Sequence, residues 1–536
     1  MSLALLLAKL SLLGLLATFL PLFAGLRRGR LALSGGLAVF AVLLAVRALR
    51  LVEHNHASLG THLLVYAATG LLLVAALAGL TWLAWRFPRW AVPVMVAVMP
   101  LRVHVPGIAG GANLLLPLYF TALAIVLAEV VVRDRLRWPA DLPRDWVRVA
   151  LAIFMAIAGL TTLWVGLHYA AHEKAFEAAL VKLFAFYLPF AVVYYLVYRY
   201  VASWKDLRRL LGGFLASGAV LALVGLAQEP THLVFVNRAK VLHQVKIEGV
   251  FRINSLFYDP NMFGRYMVVV ALVAFAAMLF VNRPRHRWGL GFLSLVATVA
   301  LLLTYSRSSW LALVSGAILF AFVWLGRRRG LIIMLVALVV MAGGLLAYSG
   351  ARRSTFTMKK VETLAGLNKL TGGRALLIRG GWHMFRRHPE GIGLGGFPLA
   401  FHDYRPYHRV RGGLIRPVGA ANLTESHTTV ITVLAEEGVE GIVAFLALLA
   451  IYFWRAWTPA ALRHDRRLRL LQGAFMASAL AILVHSFFYN AFFEDPTVWV
   501  VMAASMALTC RLSRLALPRP DSVSATGQSS PETGML

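Results

Sequence analysis

His427 is the titratable side chain best placed for chemistry. It closes a polar run, Glu425-Ser426-His427-Thr428-Thr429, and a strongly apolar run opens at Val430. An imidazole titrates near neutral pH and suits a general base that takes a proton from a hydroxyl. Arg252 lies in Gly249-Val250-Phe251-Arg252-Ile253-Asn254, Arg307 in Tyr305-Ser306-Arg307-Ser308, and Arg374 in Gly372-Gly373-Arg374, with Arg379 five positions later. Guanidinium forks bind phosphate oxygens bidentately and stay charged. Residues 350–427 carry 13 Lys/Arg against 4 Asp/Glu. Together these residues point to chemistry on an anionic, lipid-linked substrate. Two or three arginines would hold a diphosphate as a divalent metal does elsewhere. No Asp-rich metal cluster is visible in the sequence, so neither a metal nor another cofactor is expected.

These groups must be positioned by membrane helices. The chain has 536 residues, 60% of them hydrophobic and 14% charged. Runs near the roughly 20 apolar residues that a spanning helix needs recur along its length. Long unbroken apolar runs exclude a β-barrel. The expectation is an all-α polytopic membrane protein with spans near 3–25, 32–50, 62–85, 90–104, 113–132, 147–166, 180–202, 210–228, 262–281, 287–304, 308–325, 331–348, 429–454, 470–488 and 497–513. That is 14 to 15 transmembrane helices, the run 90–104 being the shortest. The first is read as a retained helix, because no small-residue cleavage motif follows it.

A net charge of +30 would point to nucleic acid in a soluble protein. Here Lys and Arg concentrate in alternate loops, 28 of them in one set that includes Arg327-Arg328-Arg329 and the C-terminal tail. The positive-inside rule makes that set cytoplasmic and excludes nucleic acid as the partner. His427 and the four arginines then share the outer side. The lone Cys510 makes neither a disulfide nor a metal site.

The chain divides into N-terminal spans (1–228), spans with outer arginine motifs (229–349), a large ordered extracytoplasmic loop (350–428), C-terminal spans (429–515) and a disordered cytoplasmic tail (516–536). Loops beyond about 12–15 residues are usually functional or disordered. This one holds an amphipathic helix from Ala375 to Arg387, a Gly-rich turn at 391–396 and several aromatics, as an ordered cap would. Asp259-Pro260-Asn261 is a helix start in which Asp259 is either a cap or a catalytic acid. The Gly-rich turn is either a packing turn or a phosphate cradle. Arg307 either anchors at the headgroups or binds phosphate. His485, inside the penultimate span, is either a satisfied buried histidine or lines a pocket, and the structural reading is preferred.

Several of these motifs resemble the O-antigen ligase and polymerase superfamily of bacterial membrane glycosyltransferases. The ligase pattern is His, then Asn, Ser or Gln, nine residues, then Gly-x-x-Gly/Thr/Tyr. Here His427-Thr428, nine residues and Gly438-Val439-Glu440-Gly441 match it, with Thr428 in place of the usual second residue. An Arg-x-x-x-Leu motif is matched by Arg374 to Ile378, with Arg379 as a competing candidate for the arginine. His388-Pro389-Glu390-Gly391-Ile392-Gly393-Leu394-Gly395 is similar to the family's His-Pro-x-Gly-x-Gly-x-Gly, and Asp259-Pro260-Asn261 and Tyr305-Ser306-Arg307 fit it as well. The likeness covers residues 249–445.

The resemblance implies a GT-C-like helical fold and metal-independent, inverting glycosyl transfer at the outer face of the bacterial inner membrane. The implied donor is an undecaprenyl-diphosphate-linked glycan, and the acceptor is lipid A-core or a second glycan. Membrane lipids are the other partners. His427 matches the acceptor-activating histidine, Arg252 and Arg374 the arginines at the donor diphosphate, and Arg307 a family arginine of less defined role. Ligation to lipid A-core is the first expectation, with glycan polymerisation and protein O-glycosylation as alternatives. A transporter or flippase of lipid-linked glycan is a more distant alternative. It would need no His427 and should show Gly/Pro-broken helix pairs in two related halves, which the sequence lacks.

Overall fold

The protein is described here from a computed structural model covering residues 59–104, 113–129, 145–168, 182–235, 242, 245–247, 250–336, 374–401, 407–409, 415–417, 428–457, 465–489 and 492–512. The spans expected at 3–25 and 32–50, most of 331–348, loop residues 350–373, the tail and His427 itself lie outside the described residues.

Helices dominate. The first are α1 (Leu59–Arg86), α2 (Pro88–Val98), α3 (Leu116–Leu127) and α4 (Trp146–His168). A π-helical turn at Leu183–Tyr187 leads into α5 (Leu188–Tyr200), followed by α6 (Trp204–Thr231), α7 (Pro260–Met278), α8 (Pro284–Leu303) and α9 (Arg307–Leu325). Then come α10 (Arg374–Arg387), the single turn α11 (Phe397–Ala400), α12 (Thr429–Trp457), α13 (Arg466–Ser486) and α14 (Pro496–Ala507). Among the described residues five helices, α6, α7, α8, α9 and α13, are long and apolar enough to cross a membrane. At 1.5 Å per residue, the 19 residues of α7 reach about 28 Å, close to the thickness of a hydrocarbon core.

Burial separates the core helices from those facing lipid. Helix α7 is buried along most of its length. Helix α8 buries only Ala297, Ala300 and Leu301, and leaves Trp288, Phe292 and Leu295 exposed at 78%, 66% and 61%. So large an apolar stripe is stable against acyl chains and costly against water. Small residues let the core helices approach closely, as is usual where lipid removes the hydrophobic drive. A Cβ at Gly316 on α9 would lie 2.8 Å from Leu272 on α7 and 3.0 Å from the Ala477 carbonyl on α13.

Two features depart from the sequence expectation. The run 90–104 is not one span: α2 has 11 residues and gives way to a turn at Met99-Pro100, where the proline has no N–H to continue the helical ladder. Among the described residues three two-stranded antiparallel pairs also stand between helices: Val103–His104 with Asn113–Leu114 (β1, β2), Lys246–Ile247 with Val250–Phe251 (β3, β4) and Tyr407–Arg409 with Ile415–Pro417 (β5, β6).

Candidate active site

The expected arginine motifs meet at one end of the helix bundle. Asp259 caps α7: its Oδ1 accepts from the backbone N–H of Asn261 at 2.6 Å, with Pro260 in the first turn. The β3–β4 hairpin delivers Arg252 to this cap. The Arg252 backbone N–H donates to the Val245 carbonyl, its Nε to the Thr304 carbonyl at 2.8 Å, and its Nη2 to Asn261 Oδ1 at 3.1 Å. One side chain thereby ties the start of α7 to the end of α8.

Arg307 enters from the next turn. Tyr305 takes a left-handed φ of 49°, and Ser306 caps α9 by accepting from the Ser309 N–H at 3.3 Å. Arg307 is the first residue of α9 and is exposed. Two helix N-termini, those of α7 and α9, therefore sit beside the arginines, and helix N-termini favour anions.

Arg374 arrives on α10, whose apolar face (Leu376, Leu377, Met384) packs with Ile392, Phe397, Phe401 and Ala435. It is half-buried and close enough to Arg307, Asp259 and Tyr489 for their charges to act on it. Burial, reinforced by the Arg307 charge, pulls the Arg374 pKa below that of a free guanidinium, and Asp259 opposes this. Burial does the same at Arg252, again opposed by Asp259. Arg379, the competing candidate, lies on the exposed side of α10. Five residues at 100° each turn it well away from the Arg374 face.

Asp259 is more than a cap, since its Oδ2 accepts from Tyr489 Oη at 3.0 Å. This layer thus holds Arg252, Arg307 and Arg374 near the carboxylate of Asp259. Such a cationic excess suits an anionic group.

A second layer, which sequence reasoning missed, lies against this one. Arg265 is 1% exposed and pairs with Asp495 at 2.7 Å, while Asp495 caps α14 through the Thr497 N–H. The Arg265 guanidinium stands 6.0 Å from the Tyr489 ring centroid, and Arg102 feels the charges of Asp495, Tyr489 and Arg265. His485 is fully buried nearby, close enough to feel the charges of Arg265 and Arg374. The available signal was Arg265 itself. An arginine five residues into an apolar span is rare and usually paired or functional.

The Gly-rich turn is a docking joint. Helix α12 breaks at Gly438, where φ is 69° and ψ −158°. The turn enters that break: Ile392 N–H donates to the Ala435 carbonyl, Gly393 N–H to the Glu436 carbonyl, and Val439 N–H to the Pro389 carbonyl. Gly391 has φ 87°, and a Cβ there would lie 2.5 Å from the Glu436 carbonyl oxygen. The two glycine motifs lock together and fix the cap helix α10 to the helix that begins two residues after His427.

Glu436 strengthens the joint. Its carboxylate accepts from Lys182 Nζ at 2.7 Å and from the Phe397 N–H at 3.2 Å. Glu437 accepts from Tyr187 Oη at 3.3 Å. Removing the lysine strands a carboxylate that is 2% exposed. Lys182→Met is expected to cost about 2–3 kcal/mol, below the range for fully buried pairs because Lys182 keeps 13% exposure. Thermal unfolding of the purified protein checks this, and an unchanged midpoint would show that the pair carries no net stability.

Thr428, beside the undescribed His427, is buried, and its carbonyl accepts from both the N–H and the hydroxyl of Thr432. Among the described residues no group of three His, Cys, Asp or Glu side chains is placed to hold a metal ion.

The family comparison meets this geometry in one segment. Residues 292–446 match the family model described as O-antigen ligase. The match takes in Arg307, the α10 arginines, the Gly-rich turn and the α12 break. No curated protein matches the chain. The matched segment and the membrane helices support a membrane glycan-processing protein of the ligase and polymerase type, similar through residues 292–446 to the O-antigen ligase superfamily.

Proposed function

We propose that the protein is a metal-independent, inverting glycosyltransferase of the ligase type. It moves a glycan from undecaprenyl diphosphate to an acceptor hydroxyl, with lipid A-core as the first candidate acceptor. The observation that carries this reading is the meeting of Arg252, Arg307 and Arg374, from three separate motifs, around Asp259 and Tyr489. Three fixed cations beside two helix N-termini suit a diphosphate leaving group whose negative charge grows as the glycosidic bond breaks.

In this mechanism His427 takes the proton from the acceptor hydroxyl. The hydroxyl oxygen attacks the anomeric carbon from the face opposite the diphosphate. The carbon–oxygen bond to the phosphate breaks, and lipid diphosphate leaves with the electron pair on its oxygen. The arginines neutralise that charge and leave no step that requires a metal. The site faces outward from the inner membrane, because the basic loops lie at the other end of the helices. There Arg511 Nη1 donates to the carbonyls of Tyr198 and Arg199, and Arg199 pairs with Glu129.

The test is transfer in vitro with purified protein and a polyprenyl-diphosphate-linked glycan, offering lipid A-core and the donor itself as acceptors. Sugar gained by lipid A-core supports ligation, and a lengthening donor glycan would replace ligase with polymerase. Intact donor binding without transfer to any acceptor would favour a transporter. In the same assay Arg374→Ala is expected to lower kcat/KM about 10²-fold, the scale of one lost charge-stabilising donor. Arg379→Ala should stay within a few fold of wild type. Equal losses at both positions would remove Arg374 from its assigned place.

A further inference from the structure

A cavity of about 210 Å³ lies far from the arginine cluster, at the opposite end of α6. Pro88, Arg89 and Pro93 of α2, Tyr200 at the end of α5, and Asp206 and Leu210 of α6 line it. Helix α6 separates the two places. Its Gln228 donates to Asn254, two residues from Arg252, and residues 206 to 228 span about 33 Å at 1.5 Å per residue. The loop charges assign the cavity end to the cytoplasm. Helices α2 and α6 cross closely beyond the inner wall, where a Cβ at Gly213 would lie 2.6 Å from the Pro93 carbonyl oxygen. Toward their N-termini they leave the cavity between them.

The charges around it are unequal. Asp206 is already committed: its Oδ2 accepts from the Ser203 N–H and hydroxyl, and its Oδ1 from Arg209 Nη1 at 3.2 Å. Glu129 accepts from Tyr200 Oη and from Arg199 Nη2. Arg511 is close enough for the charges of Asp206 and Arg199 to act on it. Arg89 is exposed in the first turn of α2, which has neither an acidic residue nor a capping side chain. A cation at that position opposes the helix dipole, so it does not serve the helix. An anion in the cavity would complement both. The rim is apolar as well. Trp85, Phe87 and Trp90 are exposed, and the Arg209 guanidinium stands 5.7 Å from the Trp90 ring centroid. Exposed tryptophans mark the headgroup level of a bilayer.

We propose that this cavity binds the phosphodiester headgroup of an anionic phospholipid of the cytoplasmic leaflet. Arg89 and Arg209 meet the phosphate, and the exposed rings of Trp85, Phe87 and Trp90 lie beside the acyl chains. Basic pockets between membrane helices on the cytoplasmic side take such headgroups. A soluble phosphate would gain the charge contact and none of the apolar one. The site is separate from the diphosphate reading of the arginine cluster and stands without it.

The full chain, purified in detergent, is titrated with phosphatidylglycerol or phosphatidylcholine, and bound lipid is counted by native mass spectrometry. Phosphatidylglycerol is expected to bind in preference to phosphatidylcholine. Arg89 is exposed, so its replacement leaves the packing intact. Arg89→Gln is expected to weaken phosphatidylglycerol binding about fivefold, the scale of one basic contact at a bilayer surface. Arg285→Gln is the control. Arg285 is also exposed and follows the helix-initial Pro284 of α8 as Arg89 follows Pro88, but it does not line the cavity. It should bind as the wild type does. Equal binding of the two lipids, wild-type affinity in Arg89→Gln, or an equal loss in Arg285→Gln would overturn the proposal. Displacement of the lipid by inorganic phosphate at matched concentration would overturn it too, by making the ligand a soluble anion.

Discussion

Purified His427→Ala is expected to lose glycan transfer by about 10²–10⁴-fold, the range that a positioned general base supplies. Donor binding should remain, because the diphosphate is assigned to Arg252, Arg307 and Arg374. EDTA should leave the wild type unaffected. The separation of the two functions follows from where the groups sit on the chain. The arginines belong to the β3–β4 hairpin, the start of α9 and the start of α10, whereas His427 precedes α12. Transfer and binding should be measured on the same preparation, with Tm as the control for folding. A mutant that binds donor and transfers at the wild-type rate would remove His427 from the chemistry. Inhibition of the wild type by EDTA, reversed by added cation, would remove the metal-independent mechanism instead.

Gly438→Ala should be the most damaging substitution outside the catalytic groups. The residue sits at φ 69° and ψ −158°, a region that glycine alone occupies without strain. An added Cβ would also run into the Pro389 carbonyl oxygen and come within 2.5 Å of the Glu390 carbonyl carbon. Both contacts are with backbone, so no side-chain rotation relieves them. The expected loss is about 3 kcal/mol, from strain and overlap together. The strain also acts on function, because the Gly-rich turn that carries α10 and Arg374 docks in this break. Gly438→Ala should therefore lower Tm, increase protease nicking between Arg387 and Phe397, and weaken donor binding. Gly212→Ala is the control. It lies within α6 with nothing near its added Cβ, so helix propensity alone should hold its stability level or raise it. Equal behaviour of the two variants would mean that the joint does not hold the cap.

Local signals were legible because their causes are local. Asp259-Pro260 announced the start of α7, and the apolar spacing from Ala375 announced α10, which the fold extends by one residue to Arg374. Membrane residence followed from composition. The order of the arginine motifs, and their expected place on one side, came from the spacing of apolar runs and the loop charges. The Gly-rich turn was left between packing and phosphate binding, and the fold gives it to packing through the bonds of Ile392 and Gly393 to α12.

Contacts between distant parts of the chain were not legible. Tyr489 reaches Asp259 across 230 positions, and Lys182 reaches Glu436 across 254. Neither pairing leaves a local trace, since each depends on which helices become neighbours and on how each is rotated. In one dimension Arg374 is the nearer match to the motif, with Arg379 as its competitor. The helical turn of α10 separates them, placing Arg374 at the cluster and Arg379 on the open face.

The sequence by itself thus determined a helical membrane protein and the types of group available for chemistry, because hydropathy and charge act through the residue and its near neighbours. The tertiary structure alone decided which arginines share a carboxylate and why two glycine motifs coexist. Those properties arise only when side chains hundreds of positions apart are packed within a few ångströms of one another.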